Sequence, residues 1–404
     1  MSTLLKFIII PTKDVCDEEK VVDILVRNIE RALSRSGFYF EINRSVNALQ
    51  LKAPPEALNI LRNMFGISHV IYEKNSHPEK VEGPGGLPIG SMGRALSLFS
   101  GGFDSPVASW MMLRSGVQLD FIHFNLVGGG QVYWASRVLK FLVETWCHGY
   151  EPKLHLVDLR PIVAKLVLHV KESLRQVVLR RVMYKVAEKI ALKEGVKALV
   201  TGESLGQVSS QTLVNIGVAE KGVDVVIMRP LLGLDKVEIM EKARIIGTYK
   251  LSEQVKECCI LARGPVATRA SMEKVIAEER KIPEELLDEA VEKHGVYRIH
   301  EIEPHEFLPK DTMTLDFIPE GALVVDTRPL EDYKAWHFPG AIHISELDVD
   351  DLEEGTVVVF YCESGEVSRV LAEELRRAGV RAYSFRGGVE QLRRYATRVL
   401  RMSS

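Results

Sequence analysis

The sequence lacks any apolar run approaching the roughly 20 residues that a membrane-spanning helix needs. Its N-terminal apolar stretch, MSTLLKFIIIPTKD, is short and stops at Pro11, which reads as a buried strand rather than a signal peptide. A cytoplasmic location, with no membrane partner, is the expectation. Cysteine is scarce. Cys16, Cys147, Cys258, Cys259 and Cys362 are an odd number in a long chain, which argues against a disulfide framework and for reduced thiols open to chemistry. An excess of charge is also missing: a net charge of -3 excludes a globally basic nucleic-acid binder, though not a local basic face. No long repeat or low-complexity tail is present. What is there, 46% hydrophobic and 26% charged residues over 404 positions, is the composition of a globular protein of two or three domains.

Patterning divides the chain into three α/β units. Residues 4–10, 38–42, 48–51 and 69–72 read as strands, with helices over 18–33 and 54–65; this βαββαβ order is ferredoxin-like, a fold that says little about function. The Gly/Pro-rich stretch EGPGGLPIGSMG reads as a linker. Strand candidates at 95–99, 121–125, 154–157, 198–201 and 225–228 then alternate with helical patterns, as in a doubly wound parallel sheet. A charged helix over 271–294 finishes this unit. Residues 298–309 read as a second linker, and strands at 322–326, 357–361 and 382–385 belong to a smaller α/β unit. The expected limits are 1–80, a linker at 81–93, 94–296, a linker at 297–310, and 311–404.

The stretch SLFSGGFDSPVASWMML runs strand, loop, helix. Two glycines let the backbone approach a ligand, and a helix N-terminus attracts phosphate. Ser105 is placed to cap the helix and Pro106 suits its first turn. The spacing fits neither G-x-G-x-x-G nor the Walker loop. Further on, Asp235 and Glu238 form a helix start with Lys236 in the first turn, where a cation is disfavoured unless an anion lies nearby. The polar stretch TGESLGQVSSQT follows a strand, at the edge where open sheets bind ligands.

Cys362 follows the apolar strand TVVVFYC and precedes a helix, with Arg369 close in sequence, a setting that favours a thiolate nucleophile. Cys258 and Cys259 are adjacent, too close for an easy disulfide with each other and without C-x-x-C spacing for a metal; no metal site is expected. Cys16 and Cys147 read as structural.

The string SGGFDS resembles the PP-loop of ATP pyrophosphatases. Val324 to Ile344, the loop CESGEVSR and the later FRGG together resemble a single rhodanese domain. With GGLPIG, HFNLVGG, LVTGESLGQVSSQTL, MRPLLGLDKVEI and the ECC segment, the chain resembles the ThiI-type tRNA 4-thiouridine sulfurtransferases, also called thiamine-biosynthesis sulfurtransferases. That resemblance implies ATP and Mg2+ as cofactors and adenylation of a tRNA uridine. It implies sulfur from a cysteine desulfurase, carried as a persulfide on Cys362, and a second cysteine, Cys258 rather than Cys259, that releases the sulfur by pairing with Cys362. ATP binding falls to Ser100, Gly101, Gly102, Phe103, Asp104, Ser105, His123, Phe124, Gly202 and Gln211. Asp104 and Lys236 hold the family's acid and lysine positions. The persulfide loop is Cys362, Glu363, Ser364, Gly365, Glu366, Val367, Ser368 and Arg369, while Asp326, Arg328 and His337 are architectural.

One departure stands out. The family carries an RNA-binding THUMP domain between the first two units, and residues 73–93 are too few for one, which counts against tRNA binding by this chain alone. Lys165, Lys171, Arg175, Arg180, Arg181, Lys185 and Lys189 offer a helical basic face instead, for phosphate or for solvent. A separate RNA-binding partner would serve equally. The alternatives are sulfur relay to the thiazole moiety of thiamine, with a thiazole-pathway carrier protein as partner, and a non-catalytic regulatory protein. A homodimer is compatible with the family.

Overall fold

A computed structural model describes residues 4–74, 76–206, 211–255, 267–308, 313–349, 351–353 and 355–402. In the first unit, strands β1 (Leu5–Pro11), β2 (Glu41–Ser45), β3 (Ala48–Ala53), β4 (Ile67–Lys74) and β5 (His77–Glu82) form an antiparallel sheet in the order β2-β3-β1-β4-β5. Helix α1 (Glu19–Arg35) lays Val21, Leu25, Ile29, Ala32 and Leu33, at helical spacing, over the alternate residues Phe7, Ile9, Leu49 and Leu51. Each such large apolar side chain contributes about 1.5–3 kcal/mol on burial. The short helix α2 (Ala57–Leu61) closes the layer. Two details depart from expectation. The strand foreseen at 38–42 begins only at Glu41, because the turn at Val46 and Asn47 pairs Ser45 with Ala48 and draws the strand toward itself. Strand β5, HPEKVE, was unforeseen: it is a mostly exposed edge strand attached through its backbone, with no apolar alternation to reveal it.

The second sheet has the order β10-β9-β6-β7-β8-β11. Its strands are β6 (Arg94–Leu98), β7 (Gln118–Asn125), β8 (Lys153–Asp158), β9 (Ala198–Val200), β10 (Val226–Met228) and β11 (Gly295–Arg298). The first five are parallel, and β11 is antiparallel to β8. The chain steps outward from β6 to β8, then returns to the other side of β6 for β9. The loops leaving the ends of β6 and β9 therefore part at a topological switch point, where open α/β sheets leave a crevice for ligands. The covering helices are α3 (Asp104–Arg114), α4 (Gly129–Trp146), α5 (Arg160–His169), α6 (Arg175–Lys193), α7 (Leu213–Glu220) and α8 (Lys236–Ile245). The helix expected over 271–294 is two helices, α9 (Met272–Glu279) and α10 (Glu284–Glu292), divided at Pro283, which opens the second.

The third sheet is parallel, in the order β12-β16-β15-β13-β14. It comprises β12 (Thr314–Leu315), β13 (Leu323–Asp326), β14 (Ile342–His343), β15 (Val357–Tyr361) and β16 (Arg381–Phe385), with helices α11 (Leu330–Ala335), α12 (Glu366–Arg377) and α13 (Gly388–Met402). One apolar cluster runs through the second and third units, joining Leu126, Val163 and Leu166 to Phe360, Val370 and Leu371. The first unit is anchored by Phe65, whose ring centroid lies 5.8 Å from that of Trp110 and 5.7 Å from that of Trp146. Among the described residues no helix is long and apolar enough to cross a membrane.

Candidate active site

A cavity of about 310 Å³ opens at the switch point. Ser100, Gly102, Asp104 and Ser105 form one wall, and His123, Phe124, Leu126 and Gln131 a second. Thr201, Gly202, Glu203 and Gln211 come from the loop after β9, and Gln176, Arg180, Met183 and Tyr184 from α6. Of the ATP-binding candidates, Gly101 and Phe103 do not line it. Gly101 has φ +83°, and a Cβ there would stand 2.7 Å from the Cα of Ala135, so it lets α4 press against the loop. The Phe103 ring packs on Tyr249, 5.1 Å between centroids. Gly202 is held as tightly: a Cβ would lie 3.0 Å from the backbone of Asp104 and Ser105. These close approaches bring the two loops together and leave backbone, rather than side chain, facing the space between them.

Ser105 does not cap α3. The helix begins at Asp104, and the Ser105 hydroxyl accepts from the amides of Ser100 and Gly101, both at 3.1 Å. It thus holds the loop closed on itself. The Gln211 side chain accepts from the Ser204 amide at 3.2 Å and braces the opposite loop. Asp235 and Glu238 form the expected capping box, each accepting from the other's amide at 2.9 Å. Lys236, in that first turn, is exposed and does not line the cavity. Cys258 and Cys259 lie outside the described residues.

His123 carries the clearest sign of a ligand. It is buried, its Nδ1 donates to the Phe99 carbonyl at 2.8 Å, and its Nε2 has no protein partner among the described residues. An acceptor left unmet at a polar cavity wall is costly unless a ligand or water meets it. Burial pushes the imidazolium down to about 4, with the Phe99 bond opposing, so the ring is neutral at pH 7. The unfolded chain takes up this proton near pH 6.5 and the folded chain only near 4. Stability is therefore full above pH 6.5 and falls by up to about 3 kcal/mol as pH drops through that window. Half-buried His148, also pushed down to about 4 by desolvation, adds a slope of the same sign. His123→Gln flattens part of the stability–pH curve between pH 6.5 and 4, as read by denaturant titration at several pH values.

Sequence reasoning missed the far wall. Buried Glu203 accepts from the Tyr184 hydroxyl at 2.5 Å and from Arg229 Nε at 2.7 Å, and Arg180 Nε lies 3.1 Å from its other oxygen. Burial, then the Glu203 charge, raises the Tyr184 phenol well above its ordinary range and keeps it a donor. The basic face foreseen on 165–189 is largely neutralised instead. Arg181 and Lys185 pair with Glu279 at 2.9 and 2.7 Å, Lys189 pairs with Asp288 at 2.5 Å, and Arg175 donates to the carbonyls of Val167 and Val170. The acids come from α9 and α10, about a hundred residues away in sequence.

At the end of β15, Cys362 is 3% exposed. Its Sγ accepts from the Gly365 amide at 3.1 Å and faces the Ser368 hydroxyl at 3.5 Å, at the N-terminus of α12. Gly365 has φ +88°, and Gly388 passes so close that a Cβ would meet the Glu363 carbonyl at 2.1 Å, which accounts for the FRGG glycines beside the loop. Beneath it Arg328 grips Asp326 through Nε and Nη2 at 3.0 and 2.6 Å, both buried. His337 is exposed, and among the described residues its side chain bonds to the Tyr333 carbonyl alone.

Residues 90–283 match the family model described as Thiamine biosynthesis protein (ThiI), and residues 314–394 match that of the rhodanese-like domain. A tRNA sulfurtransferase of Thermoplasma volcanium is 33% identical over 344 residues, covering 83% of this chain and 68% of that protein. The chain belongs to the ThiI family. A further member, the tRNA sulfurtransferase of Desulfurococcus amylolyticus, is 44% identical over 313 residues, 77% of this chain. The match spans about 65% of the length of that relative, and as much of the one from Pyrobaculum aerophilum. Among solved structures, a 4-thiouridine synthetase–RNA complex with bound ATP matches with a TM-score of 0.65 at 25% identity, over 73% of this chain and 99% of that one.

Proposed function

We propose that this ThiI-family chain is an ATP-dependent sulfurtransferase that thiolates a uridine of tRNA. The observation that carries the reading is the nucleotide-sized cavity at the switch point, with an unmet neutral His123 nitrogen on its wall, on the same chain as a cysteine seated at a helix N-terminus. O4 of the uridine attacks the α-phosphate of ATP and pyrophosphate leaves, so that C4 carries AMP as its leaving group. The amides of Gly101 and Gly102 face its phosphates once Ser105 yields, and His123 Nε2 accepts from a donor on the bound molecule. Among the described residues no three side chains converge as metal ligands. A Mg2+ ion would therefore be held mainly by phosphate oxygens, with Asp104 as the protein's carboxylate. Lys236, exposed at the start of α8 and outside the cavity lining, serves as the cation for the phosphates only if its side chain turns toward the cavity when the nucleotide binds.

Cys362 receives a sulfane sulfur from a desulfurase persulfide, leaving that donor as a thiol. The terminal sulfur of Cys362 bonds to C4 as AMP departs. Cys258 then attacks the Cys362 sulfur, releasing 4-thiouridine and leaving a protein disulfide that an external dithiol reduces. The deciding assay incubates purified protein with unmodified tRNA, ATP, Mg2+, cysteine, a desulfurase and a dithiol, and measures 4-thiouridine by mass spectrometry. Product that requires ATP is expected. No product, with Cys362 persulfidated, would overturn the tRNA reading and leave sulfur relay toward thiazole, where the carrier cysteine alone suffices.

A further inference from the structure

Helix α12 starts four residues after Cys362 and packs along α5 of the second unit. Two polar contacts fix the pairing. Arg160, whose guanidinium is already oriented by Asp158 at 2.9 and 2.7 Å, donates to Glu373 at 2.6 Å across the junction. One helical turn from the cysteine loop, Arg369 reaches the Val127 carbonyl at 3.5 Å and crosses over Gly128, where a Cβ would come within 3.1 Å of its Nη2. Residues 126–128 are the loop between β7 and α4, and with the first turn of α4 they line the cavity through Leu126 and Gln131. The apolar cluster closes around the thiol, since Cys362 belongs with Leu126 and Val127 to one packed group.

We propose that α5 and the 126–128 loop form an intramolecular receptor for α12. In it Arg369 and the Arg160–Glu373 pair are positioning residues: they set the cysteine loop against the wall of the nucleotide cavity and shield the thiol from solvent. The proposal rests on Cys362 being the sulfur carrier only for its purpose, not for its geometry. Two states follow. The docked state protects and delivers sulfur, and loading by a bulky donor enzyme requires release of α12.

The test is the rate at which Cys362 in the full chain is alkylated by iodoacetamide, resolved by peptide mass spectrometry. The wild type reacts slowly compared with the chain unfolded in denaturant. Glu373→Arg, which sets two cations face to face, and Arg369→Ala each raise the rate about tenfold or more by populating the open state. Glu373→Gln keeps an acceptor for Arg160 and falls between. Unchanged melting of the second unit and unchanged ATP binding separate opening from misfolding. A wild-type rate equal to that of the unfolded chain, or variants that react no faster than wild type, would overturn the receptor. Persulfide loading of Cys362, read as a 32 Da gain, is followed in parallel. Its failure in every variant would sink the carrier reading and leave the alkylation result standing.

Discussion

Cys362→Ser removes sulfur transfer, by more than about a thousandfold, while leaving fold and nucleotide binding nearly intact. Serine differs here by one atom. The Gly365 amide and the Ser368 hydroxyl, which now face sulfur at 3.1 and 3.5 Å, can serve a hydroxyl oxygen, so little stability is lost. What disappears is the ability to hold a second sulfur, which an alkoxide cannot do. The measurement is 4-thiouridine formed per enzyme under saturating ATP, beside AMP-forming turnover without sulfur transfer, which persists. Residual thiolation within tenfold of wild type would remove Cys362 from the reaction.

The largest structural effect is expected at Glu203. Its carboxylate binds Tyr184, Arg229 and Arg180 in a largely buried wall, with side-chain exposure of 8% for Glu203, 11% for Arg229 and 17% for Arg180. Glu203→Ala leaves two guanidiniums without their shared anion, and unpairing a buried charge costs about 3–5 kcal/mol. Arg229 keeps Glu220 at 2.8 Å, which places the loss toward the lower end. Because Gln176, Arg180 and Tyr184 stand on one face of α6, ATP affinity falls with stability. Urea titration and nucleotide binding read the two effects. A loss below about 1 kcal/mol, within the range of an ordinary surface change, would show that the arginines find other partners.

Much of this arrangement was legible in the residues themselves. Continuous apolar runs in FIII and TVVVFYC located β1 and β15, and the glycines of SGGFDS marked the loop that walls the cavity. The invisible parts share one cause: their partners are distant in sequence. The cations of α6 looked like a free basic face because Glu279 and Asp288 lie on helices a hundred residues further on. Ser105 looked like a helix cap because its role as acceptor for the loop depends on how that loop folds back. Strand β5, HPEKVE, carries charge on three of its six positions and has no apolar alternation, and only its pairing with β4 makes it a strand.

The four tryptophans of the chain are spread over three places in the fold. Trp110 and Trp146 meet edge-on around Phe65, which the first unit contributes. Trp134 lies under Arg137 on α4, one turn from the loop that Arg369 crosses. Trp336 sits in the third unit between Arg328 and Arg393. Indole emission shifts with polarity and is quenched by neighbouring charge. The molecule thus carries built-in optical probes: single-tryptophan variants report separately on the seating of the first unit, on events at the cavity rim, and on the integrity of the rhodanese-like third unit, without any added dye.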